Sequence, residues 1–262
     1  SMLGTGSAII GPTFLPLIIK AWGMSGVFIF IGVAYGFTAL MFSQLTKQKI
    51  YQKTKDQKPW RDLLEGLSYI KLNRVMIALI SIGIVTGIFA APYITLLPVF
   101  VSDVLTGGVN SYGYLLLSGG IGGMCGAIAL AQFVKLRDSA SIQTLTGVGL
   151  GISLIVFATS NSLQIAMIAI AIVGVFSVSF STINNTFLQS IVDDKYRGRV
   201  SSIQQLGWGA SAFGGLLLGS LAQAFGAPFA LTLSAAIATL SIFSLCIYIY
   251  RSFNSGKNTK ST

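Results

Sequence analysis

The 262-residue sequence contains no histidine, only two cysteines and few charged residues, which make up 9% of the chain. Histidine is the usual side chain in haem sites, many zinc sites and proton relays, so its absence argues against those roles. Cys125 and Cys246 both lie within apolar runs, which offers neither a CxxC motif nor a disulfide framework. Soluble domains carry about 25% charged residues. The sequence therefore argues against a soluble enzyme, a nucleic-acid-binding module and a bound cofactor.

Hydrophobic residues make up 53% of the chain, and there are 30 glycines. A helix that crosses a bilayer needs about 20 mostly apolar residues, whereas an outer-membrane strand needs about 10 with alternating polarity. Helices also satisfy every backbone group inside lipid. The sequence therefore predicts an all-α polytopic membrane protein with eight spans, at Leu3 to Ile19, Gly23 to Leu45, Val75 to Phe100, Tyr112 to Val134, Ile142 to Thr159, Leu163 to Ile191, Val200 to Phe225 and Phe229 to Tyr250.

Lysine and arginine are unevenly distributed over the predicted loops. Sixteen of the 17 basic residues fall on alternate loops or the C-terminal tail, and only Lys20 lies on the opposite side. Cytoplasmic loops carry the excess of basic residues in membrane proteins. We therefore expect a multi-pass protein of the cell (inner or plasma) membrane with both termini in the cytoplasm. The net charge of +10 then reflects topology and not a nucleic-acid partner.

A weak internal repeat links the first predicted span to the seventh. A shift of 203 residues places Leu3, Gly4, Gly6, Gly11, Ala21 and Gly23 on Leu206, Gly207, Gly209, Gly214, Ala224 and Gly226. Both segments begin a span on the predicted cytoplasmic side. The pairing implies a repeat of six spans, and it leads us to expect four further spans before Ser1.

Three motifs carry a resemblance to a known family. The segment Asp194 to Ser202 (DKYRGRVSS) follows Gln189 and precedes a glycine-rich span. It resembles the loop after the tenth helix in bacterial efflux members of the major facilitator superfamily. Leu96 to Phe100 (LLPVF) with Asp103 to Leu105, and Leu64 to Ile70 (LEGLSYI), resemble the end of and the approach to the seventh helix in its macrolide-efflux and enterobactin-exporter branch.

The resemblance implies the major facilitator fold, in which two six-helix halves form a parallel repeat. The chain then corresponds to helices five to twelve, with the first half truncated. Residues 1–45 would be the last two helices of the N-terminal half, and 46–74 a cytoplasmic linker with an amphipathic helix. Residues 75–250 would form the C-terminal six-helix half, and 251–262 a cytoplasmic tail.

The same resemblance implies secondary active efflux of a small amphipathic molecule, of the drug or siderophore class, by ion-coupled alternating access. The implied partners are the lipid bilayer, the small-molecule substrate, a proton as coupling ion and the four missing N-terminal helices. No charged residue lies well inside a predicted span, so the coupling carboxylate is expected in the absent part. A non-transporting membrane scaffold and a channel-like polytopic protein are the alternatives.

The residues expected along the substrate path are amides and aromatics inside otherwise apolar spans, because burying such groups in lipid is costly. They are Tyr93, Asn184, Asn185, Gln189, Gln204, Gln205 and Trp208. Tyr93 lies between Pro92 and Pro98, where a broken helix can expose backbone carbonyls to a cavity. The alternative for each amide is an interhelical hydrogen bond that has no role in binding.

Helix kinks and gate residues are expected at both ends of the spans. Gly11 and Pro12 are similar to the antiporter signature of the fifth helix, although Thr13 to Pro16 departs from it. Asp194, Arg197 and Arg199 are expected to form a cytoplasmic charge cluster that acts as a gate, since arginine forms bidentate pairs with carboxylates. The alternative is that the arginines only anchor a helix to headgroups. Asp103 is expected to be an outer cap or gate residue.

Two further patterns concern helix surfaces. Trp60, Leu63, Leu64, Leu67 and Ile70 recur at helical spacing, which predicts a surface helix tethering the two halves; a calmodulin-type target or a lipid sensor is the alternative. Overlapping GxxxG spacings, which favour close helix packing in lipid, occur at Gly119 with Gly123 and at Gly122 with Gly126.

Overall fold

The computed structural model describes residue 22 and residues 25–44, 59–133 and 139–258. Every regular element in these ranges is helical. The first predicted span, with Gly11 and Pro12, lies outside the described residues. The all-α prediction is confirmed for the part of the chain that the structure describes.

The helices follow the predicted spans closely. In chain order they are α1 (Ser25–Ser43), α2 (Pro59–Lys71), α3 (Arg74–Val85), a π-helical segment (Thr86–Ala90), α4 (Tyr93–Asp103), α5 (Val109–Phe133), α6 (Ser139–Ala158), α7 (Leu163–Ile191), a short 3-10 turn (Asp194–Tyr196), α8 (Arg197–Phe225) and α9 (Ala227–Asn258). The last helix extends beyond Tyr250 into the predicted tail.

Six of the described segments are long and apolar enough to cross a membrane. They are α1, the stretch Arg74–Asp103 that joins α3 to α4, α5, α6, α7 and α9. Helix α8 is not among them, although it has 29 residues. Its N-terminal half is rich in serine, glutamine and glycine, which lowers its mean hydropathy. This same half contributes to the cavity described below.

Local sequence explains where several helices begin and end. The Asn73 side chain accepts a hydrogen bond from the Val75 N–H at the start of α3, and the Ser162 hydroxyl accepts one from the Ile165 N–H at the start of α7. Such caps satisfy N–H groups that the first helical turn leaves without partners. Helix α8 stops at Gly226, whose φ of 89° suits a residue without a Cβ.

The third predicted span, which lies within Arg74–Asp103, is interrupted by the π-helical segment. There the Ala91 N–H donates to the Thr86 carbonyl at 2.8 Å, which is the longer π-type spacing. Pro92 follows and has no N–H to continue the helical ladder. The Ser234 hydroxyl of α9 donates to the Phe89 carbonyl at 2.7 Å and so satisfies an acceptor at the break.

Helices α5 and α7 pack through small residues. A Cβ on Gly122 would overlap the carbonyl oxygen of Ala171, and one on Gly126 would lie 2.9 Å from the Cα of Val175. A Cβ on Gly174 would overlap the carbonyl oxygen of Gly119. The two backbones are therefore in direct contact, as the GxxxG spacings predict.

The buried side chains form two apolar clusters. One surrounds Met76, Leu79 and Ile242, and the other surrounds Phe100 and Phe157. Tyr93 packs against both clusters. It therefore lies at the junction between the two parts of the core, beside the helix break. In contrast, nearly all the side chains of α1 are exposed.

Candidate functional site

A cavity lies where α3, the π-helical segment, α7 and α8 converge. Its volume is about 120 Å³, which is enough for several water molecules or for part of a small organic ligand. The described wall is uncharged and consists of Gly83, Thr86, Gly87, Ala90, Ala91, Tyr93, Leu150, Ser177, Phe180, Ser181, Asn184, Asn185, Gln204, Gly207 and Ser211. A wall that combines apolar surface with amide and hydroxyl groups is typical of sites for small organic ligands.

The structure brings four of the predicted substrate-path residues together at this cavity. They are Tyr93, Asn184, Asn185 and Gln204. Gln189 lies elsewhere and donates from Nε2 to the Ser201 hydroxyl at 2.9 Å, which joins α7 to α8. Gln205 is exposed and does not line the cavity. The side chain of Trp208 is outside the described residues.

Glycines allow two backbones to form part of the wall. A Cβ on Gly87 would lie 2.5 Å from the Gly207 carbonyl oxygen, and a Cβ on Gly207 would lie 3.7 Å from the Gly83 carbonyl carbon. The π-helical segment and α8 can approach this closely only because Gly87 has no side chain. Sequence reasoning missed Gly83, Gly87 and Gly207 as wall residues, since glycines occur throughout these spans.

A buried amide pair stands behind the cavity wall. Gln143 on α6 is fully buried, and its Nε2 donates to Oδ1 of Asn184 at 3.2 Å. Gln143 Oε1 has no hydrogen-bond partner among the described residues. A buried acceptor without a partner costs about 1–3 kcal/mol. Sequence reasoning missed Gln143, although the rule that selected Asn184 applies to it equally, because it too is an amide inside a predicted span.

A second amide pair joins α7 to α8 on the more exposed side. Nε2 of Gln204 donates to Oδ1 of Asn185 at 2.7 Å, and Nδ2 of Asn185 donates to the Ser181 carbonyl at 2.9 Å. The neighbouring residues Asn184 and Asn185 therefore connect α7 to two different helices at one level. Each asparagine accepts from a glutamine.

The predicted cytoplasmic charge cluster forms two separate ion pairs. Arg197 and Asp194 pair at 3.1 Å within one turn, with side-chain exposures of 55% and 88%. Arg199 instead pairs with Glu65 of α2 at 2.8 Å, with exposures of 18% and 41%. Because exposed pairs contribute little, the contact with α2 is the more substantial of the two.

Helix α2 is attached to the turn between α7 and α8 by Tyr69. Its hydroxyl donates to Oδ2 of Asp193 at 3.0 Å and accepts from the Asp193 N–H at 3.1 Å. Its ring stacks on Tyr196 with 4.1 Å between the ring centroids. The Arg199 guanidinium carbon lies 5.6 Å from the Tyr196 ring centroid. The helix predicted as a tether is thus fixed to the α7–α8 turn, and sequence reasoning missed Tyr69, Glu65 and Asp193.

The predicted apolar face of α2 is divided between two environments. Ile70 is buried and Leu63 is half-buried, whereas Leu64 and Leu67 are exposed. The side chain of Trp60 is outside the described residues. The helix therefore has apolar side chains both against the protein and away from it.

The remaining predicted kink and cap residues all lie on the broken segment. Pro92 is buried and caps the start of α4, whereas Pro98 lies inside α4 and is exposed. Asp103 is the last residue of α4, is exposed and accepts from the Ser102 hydroxyl at 2.6 Å. None of the three lines the cavity.

Comparison with known proteins identifies the family. The family model described as transmembrane secretion effector, a branch of the major facilitator superfamily, matches residues 6–261. The chain is similar to the staphyloferrin A transporter of Staphylococcus aureus, with 27% identity over 83% of this chain and 54% of that protein. It is also similar to the multidrug efflux pump Tap of Mycolicibacterium fortuitum, with 26% identity over 63% of this chain and 40% of that protein.

The multidrug efflux pump Tap of Mycobacterium tuberculosis is a third relative, with 27% identity over 83% of this chain and 53% of that protein. The chain spans about half the length of the curated relatives it matches.

Proposed function

The chain belongs to the major facilitator superfamily of membrane transporters, in the transmembrane secretion effector family, and from this membership we propose that it forms part of a secondary active efflux transporter. The family consists of transporters and not of enzymes. Its relatives include a siderophore transporter and a multidrug efflux pump. The substrate proposed here is a small amphipathic molecule of the drug or siderophore class.

The observation that carries this proposal is the uncharged cavity where α3, α7 and α8 converge. Phe180 and Leu150 provide apolar surface, and Tyr93, Asn184 and Ser181 add groups that form hydrogen bonds. The wall also includes the break that separates α3 from α4. Broken helices at a site between packed helices are common in transporters that bind substrate near the middle of the membrane.

The proposed mechanism is alternating access by two six-helix halves. In this scheme residues 75–250 form the C-terminal half, and residues 1–45 belong to the N-terminal half. Helix α2 is attached to α8 and to the α7–α8 turn through Arg199 and Tyr69, so it would move with the C-terminal half. The protein would lie in the plasma membrane, with both termini in the cytoplasm.

The proposed coupling ion is a proton. A proton-coupled transporter needs a titratable group at membrane depth. The cavity wall that the structure describes has no charged side chain. The coupling carboxylate is therefore expected to come from helices outside the described residues, opposite this cavity.

The test uses the complete protein that contains this chain, reconstituted in liposomes with an imposed proton gradient. We expect amphipathic fluorescent dyes to be moved against their concentration gradient, and collapse of the proton gradient to stop the flux. Dye movement only down its gradient would favour a channel. No movement at all would favour the scaffold alternative.

The site assignment is tested by Tyr93→Ala and Asn184→Ala in the same assay. Both should lower the transport rate at least tenfold without lowering the amount of protein in the membrane. Matched controls are Tyr114→Ala, at an exposed tyrosine of α5, and Asn110→Ala, at an exposed asparagine of the same helix. Wild-type flux in both cavity variants would contradict the assignment.

A further inference from the structure

The hydrogen bonds around Asn184 restrict what its side chain can offer to a ligand. Its oxygen, Oδ1, accepts from Nε2 of Gln143 at 3.2 Å. An amide has one oxygen acceptor and one NH₂ group with two donors. Because the oxygen is turned toward Gln143, the NH₂ group is the part of Asn184 that can face the cavity.

The position of Nδ2 agrees with this orientation. A Cβ placed on Gly83 would lie 3.8 Å from Nδ2 of Asn184. Gly83 and Asn184 both line the cavity. The NH₂ group therefore lies beside the bare backbone of Gly83 at the cavity wall, where no side chain from that position covers it.

Asn185 does not provide a comparable donor. Its Oδ1 accepts from Gln204, and its Nδ2 donates to the Ser181 carbonyl. Hydroxyl groups in the wall, such as those of Tyr93 and Ser177, can rotate to donate or to accept. Asn184 is thus the amide in the described wall whose polarity is fixed by a neighbour and whose donors face the cavity.

Apolar packing does not explain the amide group of Gln143. The side chain is fully buried, and its Oε1 has no hydrogen-bond partner among the described residues. It lies one turn before Gly147, where a Cβ would meet Ile242 and Phe180 of the apolar core. An apolar side chain of the same length would avoid the unpartnered oxygen. What the amide contributes is the hydrogen bond to Asn184.

We propose that Gln143 is a positioning residue that sets the hydrogen-bonding polarity of the cavity. It holds the Asn184 amide with its NH₂ group toward the ligand, so the site selects neutral amphipathic molecules that carry an acceptor such as a ketone, ester or ether oxygen. This inference rests on the proposed transport function. It adds a specificity determinant that does not itself touch the ligand.

The experiment compares two neutral probes that differ in one acceptor. The first is the dye propionyl-dimethylaminonaphthalene, which has a ketone, and the second is its propyl analogue, in which a methylene replaces the ketone. Binding to the complete protein in lipid nanodiscs is measured by equilibrium dialysis, with empty nanodiscs subtracted. The readout is the ratio of the two dissociation constants, because a general loss of folding lowers both affinities and leaves their ratio unchanged.

We expect the unsubstituted protein to prefer the ketone probe by roughly threefold to tenfold, the range that one net hydrogen bond contributes. In Gln143→Met, which has a side chain of similar length, the ratio should fall toward one through weaker binding of the ketone probe alone. Asn184→Ala should remove the preference entirely. Gln143→Glu should restore much of it, because a carboxyl group buried without a counter-charge stays neutral and keeps one O–H donor for Asn184.

The matched control is Gln164→Met, at an exposed glutamine on α7 far from the cavity, which should keep the wild-type ratio. An unchanged ratio in a Gln143→Met protein that keeps its affinity for the propyl probe would overturn the role of Gln143 while leaving transport intact as a proposal. Failure of the unsubstituted protein to bind either probe would instead overturn both the amphipathic substrate class and the inference built on it. Preference for the propyl probe would also overturn the inference.

Discussion

The N-terminal and C-terminal halves of helix α7 use opposite means of packing. In the N-terminal half, Ala171, Gly174 and Val175 meet the backbone of α5 at glycines, with no room for a Cβ on the facing residues. In the C-terminal half, Asn184, Asn185 and Gln189 form side-chain hydrogen bonds to α6 and α8. One helix therefore combines a backbone-to-backbone contact with a polar, partly open surface.

Under the proposed function, the first half of α7 supports the fold and the second half contributes to ligand recognition. Backbone contacts at glycine depend on the absence of atoms, so any added side chain forces the helices apart. Interhelical hydrogen bonds in membranes contribute only about 0.6 kcal/mol on average, so the C-terminal half of α7 can rearrange at small cost. A transporter needs both properties, because the site must adapt while the helices around it stay packed.

The largest expected effect tests the supporting half. Gly122→Ala places a Cβ against the Ala171 carbonyl oxygen, so we expect a loss of stability of about 1–3 kcal/mol, as for overpacked cores. The melting temperature of the purified protein measures it. Gly113→Ala, on the same helix with no heavy atom within 4 Å of the new Cβ, is the matched control. Equal melting temperatures for the two variants would contradict the close contact between α5 and α7.

The next prediction tests whether the cavity wall contributes both to stability and to transport. Gly87→Ala brings a Cβ to 2.5 Å from the Gly207 carbonyl oxygen and should push the π-helical segment away from α8. We expect a stability loss of about 1 kcal/mol, at the lower end of the overpacking range, together with a loss of dye transport. Gly215→Ala is the control, since its nearest neighbour would be the Thr95 side chain at 3.7 Å. A stable variant with normal transport would contradict this prediction, because the π-helical segment and α8 would then move apart without cost.

A smaller effect is expected for the contact that attaches α2. Tyr69→Phe keeps the ring that stacks on Tyr196 but removes both hydrogen bonds to Asp193. We expect a stability loss of about 0.5 kcal/mol, the lower end of the net contribution of a hydrogen bond, because the site is open to water. Differential melting measures it, with Tyr114→Phe as the exposed control. No loss would mean that stacking alone holds α2.

The smallest effect is expected for one of the two ion pairs. Arg199→Gln removes the partly buried pair with Glu65, and Arg197→Gln removes the exposed pair with Asp194. We expect up to about 1 kcal/mol for the first and a few tenths for the second, since exposed pairs are screened. Melting at low and at high salt distinguishes them, because the smaller contribution should disappear at high salt. The reverse order would contradict the assignment of Arg199 as the contact with α2.

Part of the site could be predicted because polar groups are costly in lipid. That rule found Tyr93, Asn184, Asn185 and Gln204, which the structure brings to one cavity. It also selected Gln189 and Gln205, which lie elsewhere, because the rule detects a polar group but not the direction in which it faces. Applying it consistently would have included Gln143.

The predicted charge cluster shows the same limit more clearly. The sequence placed Asp194, Arg197 and Arg199 within one loop, and proximity in sequence suggested that they pair with one another. Arg199 pairs with Glu65, more than a hundred residues away in sequence, because α2 folds back onto the turn. A local sequence pattern cannot predict a pair between residues so far apart in the sequence.

The all-helical class, the positions of the described helices and the glycine spacings for close packing follow from the sequence alone. These depend on apolar run length and helical period, which are local properties of the chain. The folded structure is needed to show which amides meet, which glycines face another backbone and where α2 attaches. Each of these features depends on which face of a helix meets which neighbour. In apolar helices the hydropathy is similar on all sides, so the sequence does not indicate which face packs against which helix.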